Sequence, residues 1–513
     1  MTSKHGNLPR GLVAAGTDLN FRGRFGRMFP HLTPARFGQN DTEEQQNLGK
    51  LATAMVSSFD APKDGADGEE SGIPALYTYF GQFIDHDLTF DPDSSFQKQK
   101  DPKATIDFRT PAFDLDNVYG RGPNDQPYMY AGDGKTFLLG DPLTLGTTSA
   151  WDLQRNGTGR ALIGDPRNDE NTIVSQLQGL ALRFHNRVVQ NHPDLSFEAI
   201  QEIVRFHYQY LVVNDFLPRI ISAPVLNGLK SNGLPDQAKL KFFTDLNNPY
   251  PFMPVEFSTA AYRLGHSMVR PGYRLNDATL MPIFPLPPAQ APGFPEGLTG
   301  FRKMTQDWGI DWGRLIDLDT RSYGSMTLDG ANQVANFNRL QLAYRIDTAL
   351  VDPLGSLPAS VASNPPPSLA FRNLLRGREF NLPSGQSVAE AMSVPALQDN
   401  QILIGQGVDT PDAPLPNIVS VGGPAFTNNC PLWTYVLAEA MQNKTVMTTP
   451  TTESVQITTP QLGPVGGRLV AEVFYGLLFA DPGSYLSKNP HWTPPGWGQD
   501  FTLKSFVKFA LGL

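Results

Sequence analysis

Imidazole and carboxylate alternate within one apolar run, Tyr79-Phe80-Gly81-Gln82-Phe83-Ile84-Asp85-His86-Asp87-Leu88-Thr89-Phe90. Read as a helix, the run puts Gln82 and His86 on one face, four residues apart, with Asp85 beside them. Asp87 points elsewhere. One turn thus offers an amide, an imidazole and a carboxylate to one pocket, and a second carboxylate to a different site. These residue types suit proton transfer or metal ligation. Phe80, Phe83, Ile84 and Leu88 would bury such a helix, so its charged groups must find partners or be neutralised. The same residues also fit a capped core histidine with two aspartates closing a helix.

Four further stretches bear on this choice. In Arg109-Thr110-Pro111-Ala112-Phe113-Asp114-Leu115-Asp116-Asn117-Val118-Tyr119-Gly120, oxygens recur at alternate residues of an extended loop. With Asp87 they make a cage for a hard cation such as Ca²⁺, which takes carboxylate, hydroxyl and carbonyl ligands in flexible geometry. An EF-hand is excluded by the missing glycine and terminal glutamate; an Asx-rich turn explains the residues without a metal. In Gly164-Asp165-Pro166-Arg167-Asn168-Asp169-Glu170-Asn171, Asp165 is a cap and Pro166 a first helical residue. Arg167 and Glu170 then share a face at the start of a long helix running past His185. A surface ion pair is the plainer alternative. Thr259 to Val269 reads as a buried helix carrying Arg263 and His266. Asn373-Leu374-Leu375-Arg376-Gly377-Arg378-Glu379-Phe380 closes the set.

Taken together and in this order, the five stretches resemble the animal-type haem peroxidases (the peroxidase–cyclooxygenase superfamily) and their bacterial relatives, over roughly residues 75 to 480. The resemblance implies a mainly α, large single-domain haem peroxidase fold with long ordered loops and little β. It implies haem b between a distal His86 and a proximal, iron-ligating His266. Gln82 would bond distal water or a halide, and Arg167 would be the distal catalytic arginine. Arg263 would adjoin the haem, and Asn373 would accept the Nδ1–H of His266 and fix its tautomer. Asp85 and Glu170 become candidates for ester bonds to haem, and Ca²⁺ would be held by Asp87, Thr110, the Ala112 carbonyl, Asp114 and Asp116. The implied reaction reduces H₂O₂ through a ferryl intermediate and oxidises a halide or small aromatic donor.

The chain departs from the family in places. Asn171 stands where some mammalian members carry a haem-bonded methionine, so no sulfonium link is expected. Glu379 and Phe380 replace an Asp-His pair. The fatty-acid dioxygenases of the superfamily, the alternative function, place a radical-forming tyrosine three residues before the proximal histidine. Here Arg263 occupies that position. Tyr262 is one residue off, a rotation of about 100° on a helix, which favours the peroxidase branch. His185 and His207 are expected to pack rather than ligate.

The elements that must position these groups are short to medium helices joined by long loops, since Gly (47) and Pro (45) are plentiful among the 513 residues. Residues 1–70 read as a loop-rich arm, with a short helix at 47–55, and residues 71–513 as the catalytic domain. Residues 121–160 look like hairpin and turn material, 197–211 a helix, 281–297 a Pro-rich connector and 467–478 an amphipathic packing helix. A hydrophobic fraction of 40% supports a sizeable core, and the net charge of −9 argues against nucleic acid as a partner. No run of about 18 apolar residues suggests a membrane span. Cys430 is the one cysteine, which rules out an intramolecular disulfide, unlike secreted animal members of the family. The first residues lack an apolar signal core, so cytoplasm is the default expectation, with export by another route left open.

Three readings compete from outside the family. One is a metal phosphohydrolase on His86-Asp87, and another a serine hydrolase on Gly265-His266-Ser267, which lacks the closing glycine of a nucleophile elbow. The third is a non-catalytic protein that keeps the fold. Neither hydrolase finds its remaining partners at recognisable spacing, and the joint presence of Gln82, His86, Arg167, His266 and Asn373 speaks against the third.

Overall fold

The computed structural model describes residues 23–513 except 90–110, 146–149, 244, 247–250, 287–295, 328–332, 363 and 412. The first 22 residues of the expected arm and most of the Pro-rich connector therefore lie outside the described residues. The architecture is mainly helical, as expected. Among the described residues, strands form only two-stranded pairings, the longest being the hairpin Lys444–Thr448 with Gln456–Pro460. No helix among them is long and apolar enough to cross a membrane.

Side-chain caps explain several of the helix starts. Asn40 accepts from Glu43 N at the head of Asp41–Ala54, whose first turn is acidic and suits the helix dipole. This helix is longer than the 47–55 expected, because its early residues are polar and their signal is the cap rather than periodicity. Asn171 caps Thr172–Asn191, and Ser196 caps Phe197–Leu211, whose bounds match the expectation. The Leu76–Leu88 helix has no side-chain cap and is buried almost all round. It is held by the core, not by local signals.

Three local expectations need correction. Arg167 and Glu170 do not open the long helix. Pro166–Asp169 is a separate 3₁₀ turn, ended where Asn171 turns extended to cap the next helix. The region around His266 is not one helix either: Val255–Ser258 and the 3₁₀ segment Ala261–His266 are kept apart by the non-helical Ala260. Finally, Gly466–Ala480 is not amphipathic but buried on nearly every face. Its buried residues belong to the main hydrophobic core.

The described part of the arm is tied into that core. Phe25, Met28, Phe29 and Phe37 are buried, and Glu256 accepts from the backbone N–H of Met28 and Phe29, 3.1 Å each. A second buried glutamate, Glu439, accepts from Val465 N and Gly466 N at 2.9–3.0 Å, where the Leu432–Gln442 and Gly466–Ala480 helices meet. Gly466 permits the approach, since a Cβ there would lie 2.5 Å from Val436 Cγ1. Burial pushes the Glu439 carboxyl up to about 7, against the two N–H groups that pull it down. A carboxyl raised on folding stabilises most below its unfolded pKa, and that contribution is lost as pH climbs through about 7. We therefore expect the melting temperature to fall between about pH 5 and about pH 8, and Glu439→Gln to flatten part of that fall.

Candidate active site

The apolar helix Leu76–Leu88 leaves Gly81, Gln82 and Asp85 half-buried while their neighbours are fully covered. These three lie along one strip of the helix, and His86 sits beside it. The Pro166–Asp169 turn approaches the same strip. Gln82 Nε2 donates to Glu170 Oε1, and Gln82 Oε1 accepts from Asn171 Nδ2 at 3.1 Å. His86 Nε2 lies 3.3 Å from Glu170 Oε1, and its Nδ1 lies 2.7 Å from Asn168 Oδ1. Arg167 donates from Nη2 to the His86 carbonyl and to Asp165 Oδ2, 2.9 Å each. A fork held by a carboxylate and a backbone oxygen cannot swing away freely. Asp85 accepts from Thr89 Oγ1 at 3.2 Å.

The turn is itself braced. Gly300 N donates to Glu170 O and Phe301 N to Asp169 O, at 2.8 and 2.6 Å. Gly164 packs against the Asp116–Tyr119 helix so closely that a Cβ would sit 2.5 Å from Asn117 O and 2.8 Å from Asp116 O. Only glycine fits this approach, which ties the arginine turn to the carboxylate loop described below.

A second wall comes from the Ala261–His266 segment. Tyr262 stacks on Phe257, ring centroids 4.8 Å apart, and donates its hydroxyl to Gly81 O at 3.2 Å. This pins the segment to the His86 helix and spends the Tyr262 phenol on a structural bond. Arg263 donates from Nε to Ser258 O at 2.9 Å, and its carbonyl accepts from Trp433 Nε1 at 3.3 Å. Burial, aided by the Arg263 charge, pushes His266 down to about 3, so the ring is neutral at physiological pH. His266 nevertheless keeps accessible surface. Asn373, buried on the capped helix Leu369–Glu379, reaches His266 Nδ1 at 2.8 Å. The amide nitrogen faces the ring here, whereas the resemblance implies the oxygen. A half-turn of the amide, whose two ends are nearly the same size, presents Oδ1 and lets His266 donate from Nδ1.

The third feature is a carboxylate cluster behind the His86 helix. Ligand oxygens of Asp87, Asp114 and Asp116 lie within 4.8 Å of one another, and all three residues are buried. It is the one such His/Cys/Asp/Glu group among the described residues. The expected alternation is interrupted at Leu115, which is left-handed (φ 59°) and starts the short Asp116–Tyr119 helix. That reversal folds Asp116 back, its N–H donating to Asp114 Oδ1 at 3.1 Å. Asp87 is 0% exposed, and neither of its carboxylate oxygens has a hydrogen bond of normal geometry. Burial, then Asp114 and Asp116, push its carboxyl well up; the Leu115 N–H and Tyr208 hydroxyl pull the other way. Ala112 is buried in the same loop; Thr110 lies outside the described residues.

Other candidates resolve into structure. His185 bridges the Tyr119 hydroxyl and Lys135 O, both at 2.9 Å, and His207 bonds Ile203 O among aromatic rings. Ser267 is buried and donates to Leu264 O, which removes it as a nucleophile. Sequence reasoning did not single out Asn168, or Asn171 as the partner of Gln82. The only signal for Asn168 is its place beside Arg167, one residue before a turn's end.

The chain is similar in sequence to the peroxidase–cyclooxygenase superfamily. Within it, the animal haem peroxidase family model matches residues 95–287, a span that holds Arg167, Glu170 and His266 but not His86 or Asn373. A peroxidase-like protein of Margaritifera margaritifera is 24% identical over 285 residues, 43% of this chain and 34% of that one. The thyroid peroxidase of Canis lupus familiaris is 22% identical over 314 residues, 43% of this chain and 31% of that one. The chain thus spans about a third of the length of these relatives. Its fold is that of peroxidase A from Dictyostelium discoideum, with a TM-score of 0.58, 15% identity and coverage of 99% and 95% of the two chains. It is also that of the fatty acid alpha-dioxygenase of Arabidopsis thaliana, with a TM-score of 0.53, 14% identity and coverage of 98% and 83%.

Proposed function

We propose that this chain is a haem peroxidase that reduces H₂O₂ and oxidises a small organic or halide donor, residues 71–513 forming the catalytic body. The observation that carries the reading is the pairing of two histidines, each with a side-chain amide at Nδ1. His86 stands with Gln82, Arg167 and Glu170 on one wall, and His266 lies on the other. The donor set fits haem: a neutral imidazole can ligate its iron, and half-buried Gln82, Asp85, Arg167, Glu170 and Arg263 among covered neighbours are what a large flat group would cover. Asp85 and Glu170 are the carboxyls offered for ester bonds. The orphaned Asp87 with Asp114 and Asp116 fits a hard cation, and we assign Ca²⁺ there, with Thr110 and the Ala112 carbonyl completing the set.

A bound haem supplies the oxidising power. His86 Nε2 is the atom that takes a proton from peroxide and returns it to the leaving oxygen, a general acid–base role. The Arg167 guanidinium supports charge on that leaving oxygen. Gln82 orders whatever occupies the space before His86. The dioxygenase alternative is disfavoured because the Tyr262 phenol is bound to Gly81 O and Arg263 holds the position that a radical tyrosine would need.

The test is an absorption spectrum of the purified protein before and after stoichiometric H₂O₂, followed by haem extraction with acidified organic solvent. A Soret band that shifts on peroxide supports the peroxidase, and haem that resists extraction supports ester links through Asp85 or Glu170. A responsive band with extractable haem keeps the enzyme and discards the links. No Soret band after haem supplementation overturns the proposal. Oxygen uptake with a fatty acid, without peroxide, would transfer the chain to the dioxygenase branch.

A further inference from the structure

Asn168 is 0% exposed and its amide is engaged at both ends. Oδ1 meets His86 Nδ1 at 2.7 Å, and Nδ2 donates to Gln178 Oε1 at 2.8 Å. Gln178 is also 0% exposed, on the Thr172–Asn191 helix, and the Asn168 N–H is tied to Asp165 O at 3.1 Å. An amide oxygen can only accept, so its partner nitrogen must carry a proton. We infer that Asn168, anchored by Gln178, is the positioning residue of His86. It holds a proton on Nδ1 and so confines proton exchange to Nε2, the nitrogen that faces Glu170.

The device is neutral, which suits its place. Glu170 already sets one carboxylate 3.3 Å from Nε2 of the ring, and a second against Nδ1 would add charge to a buried region. An amide orients the ring and selects the tautomer without that cost. It also explains why the arginine turn is a separate element. Asp165, Asn168 and Glu170 bind Arg167, His86 and Gln82 respectively, so one short turn sets three side chains at once.

The consequence for turnover rests on the peroxidase reading, but the tautomer does not. The full chain, labelled with ¹⁵N-histidine and held in a diamagnetic state, should give a His86 signal in long-range ¹H–¹⁵N correlation, identified by its loss in His86→Gln. A protonated-type Nδ1 shift is expected. An unprotonated, pyridine-type Nδ1 overturns the inference, whatever the cofactor proves to be. Asn168→Asp keeps the oxygen and should keep the pattern, while Asn168→Leu should release the ring into both tautomers. An unchanged pattern in the leucine variant overturns the inference equally. If that variant does not fold, the wild-type spectrum decides. In turnover, Asn168→Leu should lower kcat by roughly 10–100-fold, as loss of a group orienting a site histidine typically does, with KM for the donor unchanged and Asn168→Asp, which keeps the acceptor but loses the bond to Gln178, falling between that variant and wild type. Equal rates for Asn168→Leu and wild type would remove the positioning role.

Discussion

His86→Leu is expected to slow the reaction with H₂O₂ by roughly 10²–10⁴-fold, the usual contribution of a positioned acid–base group, while leaving the absorption spectrum of the resting protein largely intact. The asymmetry follows from the two walls. His86 is held by Asn168 and faces Glu170, and it is not the proposed iron ligand. His266, the proposed iron ligand, is untouched by the change. Leucine is close in volume to the imidazole, so the helix, already buried nearly all round, should keep its packing. Arg167→Gln should cost roughly 10²–10³-fold, because it removes one electrostatic donor and leaves the base in place. The double variant should fall short of the product of the two, since groups that act as a unit are not additive. Stopped-flow absorbance after mixing with peroxide measures all three. A His86→Leu protein that reacts at the wild-type rate would dismiss His86 as the proton carrier.

Removal of the cation should be the second large effect, and it should reach the same chemistry from behind. Three carboxylates with oxygens within 4.8 Å of one another repel strongly once ionised. One pair at about 4 Å is worth about 4 kcal/mol at an effective dielectric near 20. A cation offsets this, and one present at about 100 times its dissociation constant stabilises the fold by about 2.7 kcal/mol. Chelation should therefore lower the melting temperature, and added Ca²⁺ should restore it. Asp87→Asn removes one ligand and one buried charge, so its melting temperature should respond weakly to both treatments. Peroxide reactivity should fall together with stability in the chelated wild type. Asp87 is covalently next to His86, and the Asp116 carbonyl packs against Gly164, two residues before Pro166 and three before Arg167. A melting temperature indifferent to chelator and to Ca²⁺ would show that the cluster holds no stabilising cation.

The groups that could do chemistry were legible because each sits in a short stretch whose own spacing constrains it. Four residues separate Gln82 from His86, so any helix there puts them on one face. The buried character of that helix followed from Phe80, Phe83, Ile84 and Leu88. Asp87 pointed away from His86 for the same geometric reason, and it is found behind the helix with Asp114 and Asp116. The helix Phe197–Leu211 was legible to its ends because a serine cap and strong amphipathicity agree there.

What required the tertiary structure were the relations between stretches and the elements whose local signals conflict. A proline after an aspartate announces a helix start, but it does not reveal that Asn171 will cap again five residues later and leave Arg167 on a turn of its own. Gly466–Ala480 carries an arginine and a glutamate that look like a polar face. In the fold, Glu472 is buried and accepts from three backbone N–H groups at Lys241, Phe242 and Phe243, and no propensity encodes such a pairing. Asn168 is the sharpest case. Nothing in its neighbourhood distinguishes it from a turn asparagine, because its role depends on a histidine 82 residues earlier and a glutamine 10 residues later in the chain. The sequence by itself determined which side chains could react and which face of a helix they share. Only the fold decided which nitrogen of His86 is free, since that depends on hydrogen bonds between residues that no local rule brings together.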